Sequence, residues 1–412
     1  MHILFLTDNF PPEVNAPASR TFEHCREWVK EGHQVTVITG APNFPKGKVF
    51  EGYNNRLWQS EAISDIKVIR VWTYITENEG FFKRTLDYFS FMLSGFFASI
   101  LVRHVDLVVG TSPQFFTVCA ACLVSSVKRV PWVFELRDIW PESIRAVGML
   151  EKSSWLGLLG RLELFLYHNS TAIISVTDSY RTALAQRGVD KDKIYVVTNG
   201  VDMSQYFPRV KDRELIREHG LSDRFVAGYI GTHGLAHALD TVLDAAQILK
   251  AAPDHHRFHI IFVGAGAGKS VLEKRSEMEG IDNVTFLDSV EKDQIARFWS
   301  LLDASIIHLK KDPLFTKVIP SKLFECMGMS VPVLLGLEGE SADIVERHDV
   351  GLLFEPENPQ ALVDQLRRLA VDQALRARLK ANGPIAARQF DRSILAGRML
   401  RILVEVTRKN PA

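Results

Sequence analysis

Residues 1–40, MHILFLTDNFPPEVNAPASRTFEHCREWVKEGHQVTVITG, decide the fold class. HILFLTD is an apolar run of strand length that ends in a polar loop, NFPPEVNAPASR. TFEHCREWVKEGH then spaces its apolar residues as a helix does, and QVTVITG is a second apolar strand. A strand, a helix and a second strand in so short a stretch predict parallel strands joined by a helical crossover. The pattern recurs in DLVVGTSP, VPWVFELRDIWPE and AIISVTDS, each a buried strand running into a polar loop. After NGVDMSQYFP a second series begins with RFVAGYIGTHG, FHIIFVGAG, VTFLDSV, ASIIHLK and VPVLLGLEG. Helix-like segments such as ALDTVLDAAQILKAA and PSKLFECMGM alternate with them. The expectation is an α/β chain of two Rossmann-like domains with parallel sheets, facing each other across a cleft. Asn-Gly and Pro interrupt the pattern near Asn199–Pro208, so the first domain is expected over residues 1–203 and the second over 204–388. Residues 389–412 read as a closing helix that returns to the first domain. In such sheets ligands collect at the carboxyl ends of the strands.

The chain has 412 residues, enough for two domains with cores of their own. Its 46% hydrophobic content excludes disorder and collagen-like repeats. Lys plus Arg and Asp plus Glu both number 49, so no net charge points to nucleic acid. Four cysteines fit a reducing compartment, and MHILFLTDNF shows neither a basic leader nor a cleavage pattern, which makes the cytoplasm the expected location. Cys119 and Cys122 form a CxxC inside the apolar run FFTVCAACLVSSV and read as small buried hydrophobes, not as a zinc or redox pair. FFKRTLDYFSFMLSGFFASILVR, residues 81–103, is the most hydrophobic stretch. Its uncharged part is too short to span a bilayer. It is either a core helix or an interfacial helix with Phe and Leu in lipid and basic flanks above.

Several tempting motifs fail on chemistry. GAGAGKS at 264–270 misses a Walker A loop by one position, because Val263 stands where the first glycine belongs. It reads instead as a glycine-rich turn in which Gly264 and Gly266 admit close backbone approach. Asp190 and Asp192 alternate with Lys191 and Lys193 in a turn, and His233 and His237 are four apart without a third ligand, so no metal site is expected. Anion binding at strand-to-helix turns is the stronger theme. Gly231, Thr232 and Gly234 stand in YIGTHGLAHALD, and Gly339, Ser341 and Ala342 in GLEGESADIVE. KVIPSKLFE then places Lys322 and Glu325 three apart on a helix, a cation for a pyrophosphate and a carboxylate for ribose hydroxyls.

Five motifs in order resemble the family-4, GT-B-fold retaining glycosyltransferases, and most closely their WbuB-like, N-acetyl-L-fucosamine transferase-like surface-polysaccharide subgroup. They are LTDNFPPEVNAPASR, ELRDIWPESIRAVG, NGVD followed by FP, GTHGLAHALD and IPSKLFECMGMSVPVL. The resemblance implies a nucleoside-diphosphate sugar, UDP-linked, in the second domain and a lipid-linked saccharide acceptor on the first. It implies no cofactor and no metal. By the same analogy Glu325 takes the ribose, Lys322 faces the diphosphate, and the Gly231–Gly234 loop lies under the phosphates. Gly339, Ser341 and Ala342 would stand near the donor sugar or diphosphate. Arg137 and Asp138 occupy the place near the reacting sugar, with Asp138 as acceptor-orienting group or base. Asn15 and Arg20 belong to the loop and helix that approach the donor across the cleft. Many relatives carry two glutamates seven residues apart, whereas here the first position is Lys317; phosphate charge would then rest on backbone amides, Lys317 and Lys322. A lipid carrier would bring the enzyme to the cytoplasmic face of the inner membrane, with residues 81–103 as the contact. The rival readings are a nucleotide-sugar epimerase, a non-catalytic sugar-nucleotide sensor and, least favoured, a nicotinamide dehydrogenase, whose G-x-G-x-x-G is replaced by PPEVNAP.

Overall fold

The computed structural model describes residues 1–44, 47–76, 81–139 and 154–410, so WPESIRAVG of the second motif lies outside the described residues. The chain divides into two units, Met1–Thr198 with Arg392–Ala412, and Asn199–Asp391.

In the first unit the strands are β1 (His2–Leu6), β2 (Gln34–Gly40), β3 (Trp58–Ile63), β4 (Ile66–Val71), β5 (Leu107–Thr111), β6 (Trp132–Leu136), β7 (Ala172–Ser175) and β8 (Ile194–Val196). They form one sheet in the order β3-β4-β2-β1-β5-β6-β7-β8. All pairs are parallel except β3–β4, an edge hairpin that strand-and-crossover reasoning did not anticipate. Its turn is Ser64–Asp65, both with positive φ, which matches the twist of the flanking strands. The helices are α1 (Ala16–Lys30), α2 (Phe81–Leu101), α3 (Phe115–Lys128), α4 (Ser154–Asn169) and α5 (Asp178–Gln186). Strand side chains alternate between faces. Leu4, Leu6, Ile38 and Val108 pack with Phe91, Val118 and Leu166 of α2, α3 and α4. Ile3, Phe5, Val37 and Val109 pack on the opposite face with Cys25 and Trp28 of α1 and with Leu395, Met399 and Leu403 near the C-terminus.

The second unit holds α6 (Arg213–Glu218), β9 (Phe225–Ile230), α7 (Asp240–Lys250), β10 (Phe258–Val263), α8 (Lys269–Met278), β11 (Val284–Leu287), α9 (Ile295–Leu301), β12 (Ala304–His308), α10 (Lys322–Gly328), β13 (Val333–Gly336), α11 (Glu340–His348), β14 (Gly351–Leu353), α12 (Pro359–Val371) and α13 (Gln373–Ala387). Its sheet is wholly parallel, in the order β11-β10-β9-β12-β13-β14. The last helix, α14 (Arg392–Lys409), belongs to the first unit. There the Trp28 indole donates to the Ala396 carbonyl at 2.9 Å, and Arg392 pairs with Glu23.

Both sheets reverse direction once, and the reversal fixes where a ligand can sit. From β9 the chain builds outward through β10 and β11, then returns to place β12 against β9's other edge. In the first unit the same switch falls between β1 and β5. Loops leaving the two strands at such a point diverge to opposite faces and leave a crevice at the carboxyl ends.

Candidate active site

In the second unit the loop after β9 begins at Gly231, whose φ of 138° is outside the range of ordinary side chains. Gly231 N–H donates to Val263 O, His233 N–H to Ala265 O and Gly268 N–H to His233 O, all within 2.8–2.9 Å. The glycines after β10 make this possible, since a Cβ on Gly264 would stand 2.0 Å from Gly231 O. GAGAG is thus a close-packed turn laid on the 231–234 loop. The amides of Thr232 and Gly234 have no acceptor among the described residues. The helix proper opens only at Asp240, so its dipole does not reach the Gly231–Gly234 turn directly.

Lys322, at the start of α10, reaches back to the same loop. Its Nζ lies 3.7 Å from the centre of the Tyr229 ring, and a Cβ on Gly231 would stand 2.7 Å from it. The amine is shielded from solvent and has no hydrogen-bond acceptor among the described residues. Burial pushes its pKa down to about 7 against the opposing pull of Glu325. A cation–ring contact offsets part of that desolvation but satisfies none of the three N–H donors. Glu325 lies one turn further along α10 and is half-buried.

Around the amine stand the two histidines whose spacing of four lacks a third metal ligand. His233 and His237 lie in the loop, with ring centroids 5.8 and 5.7 Å from Tyr229. Burial, with Lys322 adding to it, holds both near pKa 4, so they are neutral. His308, at the end of β12, donates from Nδ1 to His237 O at 3.0 Å and accepts at Nε2 from Glu357 N–H at 2.9 Å. It locks the loop after β9 to the switch point. Among the described residues no three His, Cys, Asp or Glu side chains gather as metal ligands.

The second predicted turn assembles beside the first. Gly339 has φ 77°, and a Cβ there would stand 2.1 Å from Thr316 O. Ser341, fully buried, donates its hydroxyl to Val318 O at 2.7 Å, so its side chain is structural. Together these contacts seat the loop that carries Lys317 against the N-terminus of α11. The Ser341 and Ala342 amides open that helix without intrahelical acceptors. Lys317 has no side-chain partner among the described residues. The loop after β12 is tied to the loop after β9 by Lys310 N–H donating to Ala236 O at 2.9 Å.

In the first unit Arg137 and Asp138 follow β6. Their amides both donate to Ser112 Oγ, at 2.8 and 3.3 Å, which brings them to the β1–β5 switch point. Two of Arg137's guanidinium nitrogens are buried without acceptors among the described residues. Burial lowers its pKa to about 10, partly countered by Glu135. Asp138 is raised by burial and accepts from the Tyr180 hydroxyl at 3.3 Å.

Arg20 is turned inward, 3% exposed, bonding Glu135 at 2.9 Å and the carbonyls of Val197 and Thr198. Asn15 caps α1 by accepting from Ala18 N–H at 2.9 Å, and its amide donates to Asn9 at 2.5 Å. Both residues hold the frame of the first unit. Cys119 and Cys122 are buried free thiols, with Cys119 pushed up to about 12 by burial.

Comparison with known proteins agrees with this architecture. Residues 18–205 match the family model described as Glycosyltransferase Family 4, and residues 211–385 match Glycosyl transferases group 1. The chain is 25% identical to the putative colanic acid biosynthesis glycosyl transferase WcaI of Escherichia coli K12, over 89% of this chain and 92% of that one. It is 22% identical to the probable glycosyltransferase WbjE of Pseudomonas aeruginosa, over 63% of this chain and 65% of that one. Among solved structures, Anabaena HepE in complex with UDP and glucose superposes with a TM-score of 0.72 at 18% identity, covering 98% of this chain and 99% of that one. Sucrose-phosphate synthase from Thermosynechococcus elongatus gives 0.78 at 16% identity, covering 98% of each chain.

Proposed function

We propose that the chain is a GT-B glycosyltransferase, its residues 18–205 matching a family-4 domain and 211–385 a group 1 domain, and that it moves a sugar from a UDP-linked donor to a hydroxyl of a lipid-linked saccharide in surface-polysaccharide synthesis. The names of WcaI and WbjE and the UDP complex of HepE support the reaction class and the nucleotide. One observation carries the assignment of the donor side. The Lys322 amine is held at a switch point, out of water, with no acceptor among the described residues. Such an arrangement costs stability unless an anion completes it.

In the reaction the anomeric C–O bond breaks and its electron pair stays on the leaving diphosphate. Lys322, Lys317, and the amides of Thr232, Gly234, Ser341 and Ala342 receive that negative charge. Preoriented donors of this kind act without reorganising when the charge develops. The acceptor oxygen bonds to the anomeric carbon. Its proton passes to Asp138, whose raised pKa makes it a stronger base than an exposed carboxylate. Arg137 neutralises charge beside it. Retention of configuration and WbuB-like donor choice follow from the family resemblance, so the assay begins with UDP-N-acetyl-L-fucosamine. The protein is incubated with UDP- and GDP-sugars, with and without a prenyl-diphosphate-linked saccharide, and free nucleoside diphosphate is followed. Acceptor-dependent release supports the transferase; an isomerised donor indicates an epimerase; silence across the panel indicates a sensor. With charge carried by lysines and amides, chelation by EDTA leaves the rate unchanged.

Glu325→Ala is expected to weaken UDP binding by about tenfold, the worth of a hydrogen bond to a charged group. Isothermal titration measures it. The melting temperature should hold, and an equal loss of stability would make Glu325 structural.

A further inference from the structure

At the end of β1 the first unit gathers polar groups that the reaction as described does not use. Asp8 follows β1 and Asp87 lies on α2, both half-buried. Asp8 accepts one side-chain hydrogen bond, from the Asn9 amide at 3.3 Å, and the Asp87 carboxylate accepts none among the described residues. Arg84 is close enough to pull on both carboxylates. It nevertheless donates to the Tyr88 hydroxyl at 3.0 Å and pairs with neither. Glu13, the third carboxylate nearby, is committed elsewhere, accepting from the Asn43 and Phe44 amides at 2.9 and 2.8 Å. Burial raises Asp8 and Asp87, the latter to about 7, and the charges of Asp87 and Glu13 raise Asp8 further.

Gln114 brings the opposite chemistry. Its side-chain oxygen caps α3, accepting from Thr117 N–H at 2.7 Å and from the Thr117 hydroxyl. The amide nitrogen is turned away from the helix that the oxygen caps. It is buried without an acceptor, in a residue only 6% exposed. Leu6 of β1 pairs with Gly110 of β5, so the chain leaves the sheet towards Asp8 and towards Gln114 side by side. The first turn of α3 rests on α2, where the Phe116 ring meets Phe89 edge-on at 6.0 Å, two residues beyond Asp87. Asp8, Asp87 and Gln114 therefore converge at the β1–β5 switch point, where a crevice is expected. A buried N–H pair without an acceptor calls for a ligand oxygen, and two carboxylates short of donors call for ligand hydroxyls. A cation would satisfy the carboxylates alone and would be opposed by Arg84.

We propose that Asp8, Asp87 and Gln114 form the subsite for the terminal sugar of the acceptor, and that they select a neutral, hydroxyl-bearing sugar over one carrying a carboxylate or a phosphate. This deepens the lipid-linked saccharide reading given above and rests on it. The carboxylates accept from ring hydroxyls, and the Gln114 amide donates to a ring or acetamido oxygen. Such a site rejects a mismatched ligand strongly, because its own buried groups are then left unpaired.

Saturation-transfer NMR of the full chain with UDP tests it. The probes are the methyl glycosides of glucose, galactose and N-acetylglucosamine, with those of glucuronic acid and glucosamine as charged counterparts. The parent binds at least one neutral glycoside and discriminates against the glucuronide. Asp87→Asn keeps the shape and removes the charge; Gln114→Glu keeps the capping oxygen and removes the N–H donors. Each weakens glycoside binding by about tenfold or more, with UDP affinity at the parent value. Thermal melts separate this from a structural role. Asp87→Asn should melt higher than the parent above pH 7, because it removes a half-buried charge, and that gain fades as pH falls from about 7 towards 3.8. The subsite is overturned if no neutral glycoside binds, or if either variant binds like the parent. It is also overturned if the glucuronide binds as well as the neutral sugars, or if only the glucosaminide binds. Transfer to the lipid-linked saccharide is scored separately. Transfer with an unchanged acceptor KM in both variants ends the subsite alone. Glycoside binding that both variants weaken, without any transfer, ends the acceptor reading alone.

Discussion

Lys322→Met lowers donor turnover by about 10²–10³-fold, the cost of removing one preorganised charge-stabilising group, and raises the melting temperature at neutral pH. The two effects have one cause. In the folded chain burial holds the amine at about 7, against 10.5 for an unshielded lysine. Between those values the unfolded chain binds the extra proton. Native stability therefore falls as pH drops from 10.5 towards 7, and the whole penalty is present below 7. Methionine keeps much of the side-chain volume over the Tyr229 ring and removes the penalty. Its stability gain is greatest at pH 7 and below, and fades as pH approaches 10.5. Thermal melts at both ends of that range measure it. Donor binding adds a second signature, because the diphosphate restores the charge on Lys322. Calorimetry at a pH just above 7, in buffers of different ionisation enthalpy, should report proton uptake by the parent and none by the methionine variant. A variant that loses activity and stability together would make Lys322 a structural residue.

Gly264→Val should unfold the second unit at temperatures the parent tolerates. A Cβ at that position stands 2.0 Å from Gly231 O and 2.9 Å from Gly231 C, and φ is 143°. Neither neighbour is a flexible side-chain tip. Relief requires separating the turns after β9 and β10, which breaks Gly231 N–H to Val263 O and His233 N–H to Ala265 O. The expected loss is about 3 kcal/mol or more, in the range of a buried steric clash with lost hydrogen bonds. Gly220 is the control. It also has positive φ, 62°, but open space around it, so Gly220→Ala should cost only about 1 kcal/mol. Urea unfolding of both variants separates backbone strain from collision. Equal midpoints would mean that the two glycine turns do not need their close approach.

Much of this architecture was legible because burial on both faces of a parallel sheet leaves continuous apolar runs, as in HILFL and FHIIFV. The β3–β4 hairpin escaped because β3 is an edge strand without a buried face, and Ser-Asp is a weaker turn signal than Asn-Gly. That Lys322 and Glu325 share a helix face could be read from their spacing, but the burial of the amine could not. Burial depends on a glycine loop nearly a hundred residues earlier in the chain. Tyr229 and His233 were hidden for the same reason. One looks like a core residue of a strand and the other like half of an incomplete metal pair with His237, and only the fold of the loop after β9 places them at the amine. The pairing of Arg20 with Glu135 on β6 was likewise out of reach of the sequence, since the two stand far apart in the chain. For α2, composition left core and interface as alternatives. The fold buries one side of the helix and leaves the other exposed.

The central claim is that the second unit neutralises the departing diphosphate with Lys322 and the turns beside it. A crystal structure with bound UDP tests it most directly. The account requires a diphosphate oxygen within hydrogen-bonding distance of Lys322 Nζ, with the amides of Ser341 and Ala342 or of Thr232 and Gly234 on the remaining oxygens. A diphosphate seated elsewhere, with Nζ still over the Tyr229 ring and no anion beside it, would contradict the account.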